Sequence, residues 1–539
     1  MAKLYKSFQK SHSRLSTNNK IFVVGMVLFF MIIAVSWKNA GPVKPPAETN
    51  DFSKLTAYKP MMTYLTELSS RSKHVSMTMI GKSVQGRDIP ALFFTSDKKF
   101  ASHRSQKPLV LIFCQQHGNE PSGKEAALLV ARDLITDKAE LLQHFDLILI
   151  PQANPDGGEL LQRRNAHNMD LNRNHVVLSE PEALALQTLF LKWKPDIVLD
   201  IHEYNSIKKE WIDHGYIKAA DEMLGGLTNL NADPSLIEFS RKIFIPETGK
   251  SIKKQGFTFH RYTVGMPFPG SRLRHSTTAI NDGRQSMGIY NTLAFIIEGR
   301  RFADPTQNLK HRTLGQRAAL LAFLQTVSHH QQQILQLVST AQSKLLTGND
   351  EYNKISRLQM DYFPDPLHKT CAFPVFDFYK WKTVTKPLTH YYSLVEVKKS
   401  VEKPIAYIFP ASETKLIALL KRNRIEMFAL KNALDIQAEF YRIQHVTPDR
   451  EEDKSHKNVD VYEWGEKRNF PKGSVLVFLN QRASNLIPLL LEPQSSYGIV
   501  SKSAMHQYCF TDYLKIGHEY PVARIVQPVN TGNLEKLPE

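Results

Sequence analysis

Four residues have the types and positions for hydrolytic metal chemistry: His117, Glu120, His202 and Glu298. His117 and Glu120 stand three residues apart in HGNE, just after the apolar run Leu109–Cys114. His202 follows the apolar run from Asp196 to Ile201, and Glu298 follows Leu293–Ile297. Imidazole and carboxylate are usual ligands of zinc, and two His with one Glu leave a fourth position for water. Zinc acidifies such a water and polarises a carbonyl. A further carboxylate must then take the water proton and pass it to a leaving amine, and Glu298 is the candidate. A charged group after an apolar run is costly to bury without a partner. A lone His-x-x-Glu pair is also an ordinary solvated turn ahead of a helix. The polar ends of three apolar strands argue for more, because that is where an open α/β sheet places a ligand site.

The loop from Leu161 to Asn174 holds the supporting groups. Negative charge growing on a substrate carbonyl oxygen calls for a fixed cation, and Arg163 is the choice. Asn172 with Arg173 offers an amide and a planar fork for a substrate carboxylate. Asp170 could hold the free ring nitrogen of a ligand His. Taken singly, each is more often an ordinary residue of a solvated, charged loop.

These residues need strands and helices to hold them. Apolar runs at 109–114, 145–151, 196–201 and 292–297 read as buried strands of parallel type. Residues 75–80 and 89–94 read as a hairpin joined by GKSVQGR. Helices are expected from about Ser122 to Leu134, where Ala126, Leu129, Val130 and Leu134 keep helical spacing, and from Glu180 to Trp193. The region from Tyr204 to Gly288, rich in Gly, Pro and Asn, reads as irregular, and Asn308 to Leu346 as one long helix or a broken pair. Strands alternating with helices predict an α/β fold: a mostly parallel, doubly wound mixed sheet with helices on both faces. From Gly348 the pattern changes, and residues 350–539 read as a smaller α+β domain.

The chain has 539 residues, more than one core usually serves. Hydrophobic content of 42% and charged content of 22% are those of a folded globular protein. Three Cys are too few for a disulfide framework. The net charge of +17 favours anionic surfaces. There is no strong Lys/Arg block in the body of the chain, and no nucleic-acid partner is expected. Residues 1–20 form a basic arm without acids, and Ile21–Trp37 runs without a charge. This predicts a transmembrane signal anchor at 21–37 with the rest outside the cytoplasmic membrane, on the periplasmic side in a Gram-negative cell. A cleaved signal peptide releasing a secreted form is the alternative. A Pro-rich, extended linker spans 38–51, and the catalytic domain 52–346.

The motifs together resemble the zinc carboxypeptidase (metallocarboxypeptidase) family, in its bacterial membrane-anchored or secreted type with an added carboxyl-terminal domain. The resemblance rests on HGNE at His117–Glu120, NPDG at Asn154–Gly157, RRNAHNMDLNRN at Arg163–Asn174, DIHEYN at Asp200–Asn205 and IIEGR at Ile296–Arg300. It implies one zinc ion held by His117, Glu120 and His202, and Glu298 as general base and later acid. It also implies Arg163 at the oxyanion, Asn172 and Arg173 on the substrate carboxylate, and Asp170 behind a ligand His. The implied activity is hydrolysis near the carboxyl terminus of peptides. Cleavage of peptidoglycan stem peptides by the same chemistry, and a non-catalytic binding module on the same scaffold, are the alternatives. The partner is a peptide or muropeptide, with the membrane met through the amino-terminal helix. The family's substrate-binding Tyr has no match between Tyr262 and Tyr290, so Tyr262 or His275 would stand in. The specificity position falls near Asp282 to Arg284, where Asp282 would favour a basic terminal residue and Arg284 an acidic one. GSVLVFLNQRASNLIPLLLEPQSSYG, Gly473–Gly498, resembles the carboxyl-terminal region of secreted members, with a packing or substrate-restricting role.

Overall fold

The apolar runs become strands of one eight-stranded mixed sheet in a computed structural model describing residues 43–97, 100, 106–348, 350–448, 457–500 and 511–538. The strands are β1 Val75–Lys82, β2 Asp88–Phe94, β3 Leu109–Cys114, β4 Asp146–Ile150, β5 Ile197–Asn205, β6 Glu222–Gly225, β7 Phe259–Arg261 and β8 Leu293–Arg301. Their order is β1-β2-β4-β3-β5-β8-β6-β7. The central four, β4, β3, β5 and β8, run parallel, while β2 joins β4 and β6 joins β8 antiparallel. The sheet is therefore parallel where the motifs lie and mixed at its flanks.

Alternation along the strands sends side chains to two covered faces. Leu111, Phe113, Ile148, Ile150 and Val198 share a core with Leu186 and Phe190 of the helix Pro181–Trp193. On the other face, Gly123 of the helix Ser122–Asp133 lies so close to Ile201 and Cys114 that a Cβ there would stand 2.5 Å from the Ile201 methyl. That helix packs against the long helix Leu309–His329. The expected long segment after residue 308 is a broken pair, Leu309–His329 and Gln331–Thr347.

Several expectations need correction. β5 and β8 do not stop before His202 and Glu298. Their parallel ladder runs on to Asn205 and Arg301, so both residues lie inside strands, with β6 pairing along the outer side of β8. The supposedly irregular region holds β6, β7 and consecutive helical segments from Pro234 to Lys254. Pro234 and Pro246 stand in the first turns of the helices Pro234–Phe239 and Ile245–Lys254, positions that tolerate proline. The linker is not extended to Asn50: Pro46–Thr49 is a helical turn, with Ala47 buried beside Phe52, Leu129 and Leu309.

The region after 350 holds a seven-stranded sheet with short helices. It is joined to the first sheet's surroundings by strand pairing: Cys371–Asp377 pairs with Tyr216–Lys218, and Tyr391–Tyr392 with Leu273–Arg274. Pro45–Glu539 form one compact unit, with a continuous core reaching from Phe190 to Tyr407 and Leu490. The basic arm 1–20 and the anchor 21–37 lie outside the described residues. Among the described residues no helix is long and apolar enough to cross a membrane.

Candidate active site

The strand register places the first two groups. Glu298 on β8 pairs directly with His202 on β5. The next parallel neighbour of β5 is β3, and the chain leaves β3 through Gln115 at φ 54°. That left-handed turn, uncommon for a non-glycine residue, is braced by Gln152, whose amide donates to Gln115 Oε1 at 2.9 Å. His117 and Glu120 then fall beside His202. A Cβ on Gly118 would lie 2.0 Å from the backbone carbon of Gly157, so only glycine permits the approach. NPDG is the other half of this contact. Asn154 caps the helix Pro155–Leu160 through Gly157 N–H and donates to the Gln116 carbonyl at 3.0 Å. Buried Asp156 takes hydrogen bonds from Ser83, the Gln85 N–H and Arg87, which ties the β1–β2 turn to the same corner.

His117, Glu120 and His202 are buried, and one ligand atom from each lies within 4.8 Å of the others. His117 Nδ1 and His202 Nδ1 face each other at 3.1 Å, each 2.9 Å from a Glu120 oxygen. Their outer nitrogens are held by carboxylates: His117 Nε2 by Asp170 and His202 Nε2 by Asp200, at 3.0 and 2.9 Å. Protons committed to those outer bonds leave lone pairs converging with a carboxylate, which is the donor set of a metal centre. Burial opposes ionisation of Glu120, yet the two His beside it hold its carboxyl well below the usual range. Burial likewise disfavours a charged His202, but Asp200 and Glu120 push its pKa well above normal. The site is built for positive charge at its centre, and the three residues fit a zinc ion.

The supporting residues gather around one cavity of about 340 Å³. Arg163 is exposed, with its guanidinium against Asp170 at 3.1 Å and Glu120 at 3.4 Å. Arg164 turns away to the Asn168 carbonyl. Asn172 Nδ2 lies 3.2 Å from His202 Nε2, its Oδ1 accepts the Gly283 N–H, and Arg173 stands on the cavity wall. Burial, opposed by the nearby His, raises the pKa of half-buried Glu298. Of the two stand-ins for the missing Tyr, Tyr262 lines the cavity. His275 is instead packed edge-on to Tyr362 at 5.6 Å.

Sequence reasoning assigned nothing to Asp200, Gln116 or Glu203. Asp200 stands two residues before His202 on a strand, so both point to one face, and that spacing was the available signal. Gln116 donates to both Asp200 oxygens at 2.8 and 2.7 Å and accepts from His175. Glu203 points to the opposite face, where it takes Ser122 N–H and Arg312, while its own N–H donates to Glu120 at 3.0 Å. Asp200→Asn should weaken zinc binding about 10- to 100-fold, the cost of losing an outer partner of a ligand His, measured by chelator competition.

Residues 61–208 match the zinc carboxypeptidase family profile, a span that holds His117, Glu120 and His202. The chain carries a zinc carboxypeptidase domain. Its relatives include carboxypeptidase 2 of Trichophyton tonsurans, 26% identical over 440 residues that cover 79% of this chain and 80% of that protein. Human carboxypeptidase Z is 32% identical over 138 residues, 22% of this chain and 21% of that protein. Among solved structures, carboxypeptidase A of Helicoverpa armigera aligns with a TM-score of 0.40 at 17% identity, over 52% of this chain and 75% of that one. Zinc is the ion of the family, and the zinc carboxypeptidase domain is a hydrolase domain. Glu298 lies beyond the matched span, and its place beside His202 comes from the β5–β8 ladder.

Proposed function

We propose that this protein is a zinc-dependent metallocarboxypeptidase that cleaves peptide bonds at the free carboxyl terminus of its substrate. The observation that carries this reading is one cavity joining His117, Glu120 and His202 to Glu298 and to the Asn172–Arg173 pair. Bound by the first three, zinc would supply an acidified water and a polarising charge. Glu298, beside His202, takes the water proton and returns it to the leaving amine. Its raised pKa brings it closer to the range in which both transfers are easy. Arg163 places a cation where the carbonyl oxygen gains charge. Arg173 and Asn172 hold the terminal carboxylate, and Tyr262 packs on the cavity wall. Asp170 and Asp200 orient the two rings. The basic arm and the charge-free segment Ile21–Trp37 support a location outside the cytoplasm.

The test is release of amino acids by the zinc-loaded protein from peptides with free and with amidated carboxyl termini. Amidation should lower kcat/KM about 100-fold, the worth of charge-assisted bonds totalling about 3 kcal/mol. Equal cleavage of both forms would overturn carboxypeptidase action. Release from muropeptides alone would move the substrate to the cell wall while leaving the chemistry in place.

A further inference from the structure

We propose that the cavity selects a terminal residue with an acidic side chain, held by the Arg284 guanidinium and the Lys218 ammonium. This rests on the carboxypeptidase reading and names its substrate class. Among the described residues, the unpartnered buried side-chain atoms of the cavity wall are Trp211 Nε1, Thr263 Oγ1, Arg284 Nε and Nη1 and Arg301 Nε, all able to donate. Arg284 is 1% exposed and reaches Asp282 with one nitrogen at 3.3 Å, while its Nε and Nη1 are buried without an acceptor. Lys218 is also buried, and its ammonium donates to the Thr263 carbonyl at 3.1 Å and otherwise faces the rings of Tyr204 and Phe373. The adjacent residues Tyr262 and Thr263 touch both groups, since the Tyr262 ring lies 5.8 Å from the Arg284 guanidinium.

Of the acids nearby, Glu298 lies near enough to Lys218 to favour its charge and serves the reaction, and the others are committed elsewhere. Asp282 Oδ1 caps the helix Gly283–Gly288 by accepting the Gln285 N–H at 2.6 Å, and Oδ2 faces Arg284. Asp282 is therefore poorly placed to receive a basic terminal residue. Glu203 is paired with Arg312, and Glu120 belongs to the metal set. Buried donors of charged groups are costly to leave unmade, and a carboxylate matches the fork of a guanidinium. Burial pulls the Lys218 pKa down to about 7, so an arriving carboxylate would gain by holding it charged. Lys218 ends the strand Tyr216–Lys218, where it pairs with Val375 of the strand Cys371–Asp377. The region after residue 350 thus braces a residue of the cavity wall.

The experiment compares peptides differing only in a terminal Glu, Asp, Gln, Leu or Lys, using the zinc-loaded full chain. In parallel, calorimetry compares N-acetylglutamate with N-acetylglutamine. Glu should exceed Gln on the order of 100-fold in kcat/KM and about 10-fold in binding. Arg284→Gln should bring both ratios to within about threefold, and Lys218→Met should shrink them about 10-fold and threefold respectively. Zinc content checks that each variant folds, and Arg284→Lys, retaining charge without the fork, should keep an intermediate ratio if the Gln variant does not fold. Leu- or Lys-terminated peptides cleaved as fast as the Glu peptide would overturn the preference. Failure to cleave any peptide would count against the carboxypeptidase reading, and the calorimetric ratio would then decide the acid preference alone.

Discussion

Glu298→Gln should abolish turnover, lowering kcat about 1,000-fold or more, while zinc stays bound. The substitution keeps size and shape and removes the negative charge and the ability to carry a proton. Glu298 pairs with His202 across the parallel ladder, so the amide would occupy the same place on β8. General acid–base catalysis is commonly worth about 100- to 10,000-fold. One side chain here serves both the attack of water and the departure of the amine, which argues for the upper part of that range. A loss of about 1,000-fold corresponds to roughly 4 kcal/mol of transition-state stabilisation. The measurement is kcat on a good peptide together with bound zinc for both proteins. A variant that keeps more than a tenth of wild-type kcat would remove Glu298 from the chemistry. One that loses zinc would show instead that the carboxylate holds the metal site together.

The central strands were legible because their signals are strong and local. Buried parallel strands are near-continuous apolar runs, so Leu109–Cys114 and its neighbours could be read directly. The metal residues were legible because each follows such a run. What could not be read was how far a strand continues. His202 and Glu298 looked like residues just past strand ends, but ladder pairing between β5 and β8 carries both strands onward through polar residues. The long ribbon Leu434–Pro448 with Lys457–Phe470 leaves a weaker mark in the sequence. Its second arm, KNVDVYEWGEKRNF, has few buried side chains and little apolar alternation. Its order comes from cross-strand pairs such as Phe440 on Trp464 and Arg468 over Phe440, which no window of sequence contains. The apparent domain boundary near residue 350 failed to anticipate Cys371–Asp377 beside Tyr216–Lys218 for the same reason: strand partners distant in sequence leave no local mark.

Within the site, the groups of the charged loop were easier to assign than those that assemble the corner behind it. Asp170 has an obvious partner type in a ligand His. Asn154 serves through main-chain N–H and carbonyl groups, Asp156 through Ser83, Arg87 and the Gln85 N–H of a distant turn, and Gly118 through the Cβ it lacks, so their work appeared only once the corner was assembled.

Removing a metal ligand should have the other large effect. Glu120→Ala should weaken zinc binding by more than the roughly 10- to 100-fold expected for an outer partner, and turnover should fall with it. Glu120 meets His117 through one oxygen and His202 through the other, and its second oxygen also accepts the Glu203 N–H. Its removal leaves two imidazole nitrogens 3.1 Å apart with no carboxylate between them and the Glu203 N–H without its acceptor. Because zinc binds the folded chain, it also stabilises it, by about 4 kcal/mol when free zinc is 1,000 times its Kd. A chelator should therefore lower the Tm of the wild type and abolish its activity, and added zinc should restore both. In Glu120→Ala the same chelator should leave Tm unchanged, because there is little bound metal to remove. A variant whose Tm drops on chelation as far as the wild type would still be holding zinc. The ion would then have to be held without Glu120, and the His117–Glu120–His202 assignment would fail.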